Sequence, residues 1–71
     1  MQTTTLVVPD ISCEHCERTV KQALSALPGV STVTVDIPQK LVTIRYDDKA
    51  TNLNALKEAL AAEDYPVAAV R

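Results

Sequence analysis

The spacing of apolar positions changes repeatedly along the chain, and each change marks an element. From Thr4 to Pro9, β-branched and apolar residues place Leu6 and Val8 on one face and Thr5 and Val7 on the other, the period of a strand. From Glu14 the spacing lengthens: Cys16, Val20, Leu24 and Leu27 follow at steps of four, four and three, one side of a helix. Pro28-Gly29 stops that helix. Val30, Val33 and Val35 begin a second extended run that turns at Pro38-Gln39. It returns from Leu41 to Tyr46 with Val42 and Ile44 alternating against Thr43 and Arg45, an antiparallel hairpin. Asp47-Asp48-Lys49 reads as a solvated turn and Asn52 as a helix cap, followed by Leu53, Leu56, Ala59 and Leu60 as the stripe of a second helix. A last short strand is expected from Val67 to Val70. The order is βαββαβ, with no repeat, linker or low-complexity stretch.

That order is the ferredoxin-like α+β plan. Right-handed crossovers put both helices on one face of a four-stranded antiparallel sheet, and the other face is left to water. With 71 residues the chain is expected to form a single domain over 1–71, near the lower size limit for folding without staples. The loop after the first strand and the loop before the last lie at one edge of this layer. The topology therefore brings Tyr65 close to Cys13 and Cys16.

Cys13 and Cys16 are the only cysteines, and they form a C-x-x-C where the first strand gives way to the first helix. Two thiols at this spacing can turn toward one another across a first helical turn, where unpaired backbone N–H groups favour thiolate over thiol. A structural disulfide is not expected, because so short a loop adds little stability when closed. With one nearby imidazole, His15, the pair falls short of the four ligands of a closed zinc centre, so a low-coordinate, thiolate-loving ion such as Cu(I) suits it better. Cys16 heads the buried stripe while Cys13 precedes it in the loop, so Cys13 should be open to water and Cys16 partly covered.

The formal net charge of -2 and pI near 5.1 argue against nucleic acid or direct membrane binding, both of which require a basic face. The segment Met1-Gln2-Thr3-Thr4-Thr5 has neither a basic n-region nor an apolar h-region, and no apolar run reaches membrane-spanning length. A cytoplasmic location is expected.

Asp10-Ile11-Ser12-Cys13-Glu14-His15-Cys16 is similar to the G-M-[TS]-C-x-x-C signature of heavy-metal-associated domains. That family includes bacterial copper chaperones, mercury-binding proteins and amino-terminal domains of copper- and zinc-pumping ATPases. Leu27-Pro28-Gly29-Val30 with Val33 and Val35 resembles the family's L-x-G-V-x-x-V-x-V passage, and Tyr65 sits where bacterial members often carry Gly-Tyr. Three departures stand out: Ile11 replaces the methionine, Asp10 the glycine, and no glycine precedes Tyr65. None removes a metal ligand. Isoleucine can fill the buried volume that the family gives to methionine, and aspartate tolerates a left-handed backbone better than most residues.

The resemblance implies two-coordinate binding of Cu(I) by Cys13 and Cys16 and its transfer to a partner, such as a copper-transporting P-type ATPase or another thiol-bearing acceptor. A partner cysteine would enter as third ligand. Zn(II), Ag(I), Cd(II) and Hg(II) accept the same donors, and copper-bridged homodimers are expected at high concentration. No enzymatic role is implied. One alternative is a dithiol redox centre, against which stand the short chain, the missing active-site Trp and the element order. Another is an accidental C-x-x-C or half of an intermolecular zinc clasp. An RNA-binding domain of the same topology would need aromatics on its central strands, and only Tyr46, at a strand end, is available. His15 reads as a solvated ring, with direct coordination as the alternative. Tyr65 reads as a group over the metal or as a rim residue covering the core. Asp10, Glu14 and Glu17, with Glu63 and Asp64 in the neighbouring loop, should make the metal face acidic.

Overall fold

Six elements follow in the expected order: β1 (Gln2–Val7), α1 (Glu14–Ser25), β2 (Val30–Asp36), β3 (Leu41–Tyr46), α2 (Leu53–Ala62) and β4 (Ala69–Val70). The computed structural model describes residues 1–71. The strands form one antiparallel sheet in the order β2-β3-β1-β4, so β1 and β3 are central. Leu6, Val8, Val42, Ile44 and Tyr46 turn inward from the sheet side and meet Val20, Leu24, Leu56 and Leu60 from the helices. Thr3, Thr32, Thr34 and Arg45 are exposed on the opposite face of the sheet, the alternation required of a one-sided antiparallel sheet. The ferredoxin-like architecture read from the pattern is the one observed.

Several boundaries differ from the pattern. β1 starts at Gln2 because Gln2 and Thr3 pair with Tyr46 and Arg45. It stops at Val7, just short of Pro9, which has no N–H for a ladder. Helix α1 ends at Ser25 with Ala26 as cap, so Leu27 packs on the core from a turn and is not part of the helical stripe. β4 is only Ala69–Val70: it faces Leu6 and Val7 at the end of β1, and Val67 packs on the core from the preceding loop. Asn52 caps α2 as expected, its side-chain oxygen accepting from the Ala55 N–H at 2.9 Å.

Gly29 joins α1 to β2 with φ +87°, and a Cβ built there would lie 2.6 Å from the Ala50 Cβ. Its carbonyl accepts the Asp47 N–H at 2.8 Å, tying the turns at this end of the molecule. Gly29→Ala is expected to cost ~1–2 kcal/mol for the left-handed backbone alone, and more for the clash. Ala50→Gly in the same chain should recover the clash component only. Equal denaturation midpoints for Gly29→Ala and the parent would show that the turn adopts another conformation.

Candidate metal site

The thiol loop is anchored from below by Ile11, whose side chain is fully buried in the core cluster. Isoleucine thus occupies the interior position expected of it. Its amide donates to the Val8 carbonyl at 3.3 Å, closing a tight turn around Pro9-Asp10. Cys13 follows as the N-cap of α1 in extended backbone (φ −156°, ψ 173°), and its carbonyl accepts the Glu17 N–H at 3.1 Å. The Cys13 side chain makes no cap bond of its own. Cys16 lies one turn in, on the buried stripe.

The two sulfurs stand 3.7 Å apart, both cysteines free. That separation exceeds the ~2.05 Å of a disulfide, so the pair is a poised dithiol. Cys13 is exposed and Cys16 only 9% so, the asymmetry that their positions in the sequence predict. No third His, Cys, Asp or Glu groups with them into a three-ligand cluster. His15 is exposed, and its carbonyl accepts the Thr19 hydroxyl at 3.0 Å. Its surroundings are those of a solvated ring.

Tyr65 comes to the site from the loop after α2, where its amide donates to the Leu60 carbonyl at 2.9 Å. Its hydroxyl is the main reason that the Cys16 thiol titrates at about 6, down from 9.0, with the Ser12 backbone N–H next; burial opposes both, and the Cys13 thiol and amide assist. The phenol is pushed up correspondingly to about 12, because it donates to the Cys16 sulfur and loses solvent there. Tyr65 is therefore a neutral donor to a thiolate near neutral pH. The helix-start amides favour the thiolate as the spacing predicts, but Tyr65 leads.

A group whose folded pKa is depressed stabilises the fold fully above its unfolded pKa, and loses that contribution as pH falls through the folded value. For Cys16 the contribution is complete above pH 9 and disappears as pH drops through about 6. Thiolate absorbance of the metal-free protein should rise near pH 6, and Tyr65→Phe should shift that rise upward. An unmoved step in Tyr65→Phe would leave the Ser12 and Cys13 amides as the cause.

The acidic face is less uniform than the residue list suggests. Asp10, Glu14, Glu63 and Asp64 are exposed, but Lys21 pairs with Glu17 at 3.5 Å one turn along α1. The surface depression lined by Glu14, Glu17, Arg18 and Lys21 is charged throughout and includes neither cysteine. Of the two thiols only Cys13 is exposed at this face.

Residues 5–66 match the model of the heavy-metal-associated domain. The chain belongs to that family. This heavy-metal-associated domain is 40% identical over 65 residues to the mercuric transport protein periplasmic component of Pseudomonas aeruginosa, covering 92% of this chain and 71% of the relative. It is 36% identical over 67 residues to the copper chaperone CopZ of Staphylococcus saprophyticus, covering 94% of this chain and 98% of the relative. Among solved structures, the oxidized MerP of Ralstonia metallidurans superposes with TM-score 0.92 at 38% identity, covering 99% of this chain and 96% of that one. Membership and these relatives support soft-metal binding as the domain's coarse function. No helix is long and apolar enough to cross a membrane.

Lys40 was not singled out by its sequence context. Its ammonium donates to the Ile11 carbonyl at 2.7 Å, across 29 positions of sequence. Its backbone is left-handed, φ 59°, and nothing in the local sequence announces the contact.

Proposed function

We propose that this heavy-metal-associated domain is a carrier and not an enzyme, holding Cu(I) between Cys13 and Cys16 in the cytoplasm. It passes the ion to a thiol-bearing acceptor such as a copper-transporting P-type ATPase. The observation that carries the proposal is the free pair of sulfurs 3.7 Å apart with no third ligand group beside them. Two soft donors and no more suit an ion content with low coordination, and leave room for an incoming thiolate. The exposed Cys13 is the sulfur that a partner thiolate can displace first, while the covered Cys16, already a thiolate at neutral pH, keeps its hold. The match to a CopZ relative over 98% of that relative's length favours copper.

Hg(II) is the second reading, favoured by the 40% identity to a mercuric transport protein that is named a periplasmic component. It uses the same sulfurs and differs in cargo and compartment. Competition for Cu(I) against a chelator and for Hg(II) against a small dithiol, paired with copper and mercury tolerance of cells lacking the gene, separates them. Retention of Cu(I) against the chelator together with copper sensitivity supports the copper reading. Mercury sensitivity alone overturns it.

A further inference from the structure

The β2–β3 turn grips the thiol loop at two points, and both contacts come from Lys40. Its carbonyl accepts the Val8 N–H at 2.9 Å, and its ammonium donates to the Ile11 carbonyl at 2.7 Å. Between these points lie Pro9 and Asp10; immediately after them come Ser12 and Cys13. The turn is itself built: the Lys40 N–H donates to Ile37 at 3.2 Å and the Gln39 N–H to the Asp36 carboxylate at 3.2 Å. Lys40 sits at φ 59°, a conformation that glycine or asparagine adopts at lower cost. A half-buried lysine kept in a glycine-like backbone points to a use for its side chain.

We infer that Lys40 is a positioning residue for the metal loop, fixing the carbonyl of Ile11 so that Cys13 moves against Cys16 from a stationary point. This inference rests on the carrier reading. Cys16 is held by helix α1 and the core, whereas Cys13 is an exposed N-cap whose side chain has no cap bond. The sulfurs are 3.7 Å apart, less than the ~4.6 Å of two sulfurs opposed across an ion with ~2.3 Å bonds. In-line coordination therefore needs the sulfurs to separate, and the exposed Cys13 is the one free to move. A loop tied at Val8 and Ile11 confines that motion to residues 12 and 13, which limits the conformations from which the ion can escape.

Lys40→Gly, Lys40→Met and Lys40→Arg test this in the full chain. Glycine relieves the left-handed backbone while removing the ammonium, so its denaturation midpoint should equal or exceed the parent's. Its retention of Cu(I) against a chelator should nonetheless weaken about tenfold, the lower end of what groups that orient metal ligands contribute. Lys40→Met should weaken retention similarly, and Lys40→Arg should restore it. In the metal-free protein, backbone order parameters at residues 12 and 13 and the exchange protection of the Ile11 amide should fall in Lys40→Gly and recover in Lys40→Arg. Parent-like order at those residues in both Lys40→Gly and Lys40→Met overturns the inference, whatever ion is used. Failure of the parent to retain Cu(I) is a failure of the carrier reading, and the metal-free measurements then decide the role of Lys40.

Discussion

Replacing both Cys13 and Cys16 by serine is expected to lower Cu(I) affinity by orders of magnitude while leaving the fold in place. The size of the effect comes from donor chemistry. A hydroxyl is a hard, protonated oxygen near neutral pH, whereas Cys16 is a thiolate already, its pKa drawn down to about 6. With no third ligand in the cluster, nothing compensates for either loss. The single variants should also differ. Cys16→Ser removes the covered donor that Tyr65 supports, and Cys13→Ser removes the exposed one that a partner reaches first. Cys16→Ser should therefore weaken retention more than Cys13→Ser. Competition titration of the three variants, with circular dichroism as a check on folding, measures this. A double variant that holds Cu(I) as the parent does would end the carrier reading.

The second large effect is on stability. Ile11 is fully buried beneath the thiol loop, and Ile11→Ala is expected to cost ~2–5 kcal/mol, the range for truncating a large core aliphatic. A core of this size rarely supplies more than ~3–5 kcal/mol net, so the variant should be largely unfolded or close to it at ambient temperature. Ile11→Met keeps volume and apolarity and should lie within ~1.5 kcal/mol of the parent. Chemical denaturation of the three proteins decides the matter. If Ile11→Ala unfolds at the parent's midpoint, Ile11 is not the anchor of the loop.

What could be read in advance was local or periodic. The C-x-x-C at a strand-to-helix junction depends on residues within one turn, and the unequal burial of its sulfurs follows from where Cys16 falls on the stripe that includes Val20 and Leu24. The place of Tyr65 was accessible through topology, because a βαββαβ order leaves few ways to arrange the loops. The leading influence of its hydroxyl on Cys16 was not, since that depends on a side-chain approach no periodicity encodes. Tyr46, read as a strand-end aromatic, does close β3, and it is 8% exposed and part of the core. Its burial follows from the period of two along β3, which points it inward with Val42 and Ile44. Lys40 lay furthest from view, its role resting on a positive φ and a contact with a distant carbonyl. β4 is shorter than the run from Val67 suggests because only Ala69 and Val70 form ladder pairs, with Val7 and Leu6, a tertiary fact that β propensity does not encode.

Cys16 and Ile11 belong to the same buried cluster as Leu6, Val20 and Leu56, so the cargo's grip and the fold's integrity share one set of contacts. An ion bound only by the native arrangement of these residues stabilises that arrangement, by about 4 kcal/mol when its free concentration is about 1,000 times its dissociation constant. The open, protease-sensitive population falls in the same proportion, about a thousandfold. Metal-bound molecules should then outlive empty ones wherever proteases sample the open state, and the lifetime of the chain becomes a readout of the metal around it.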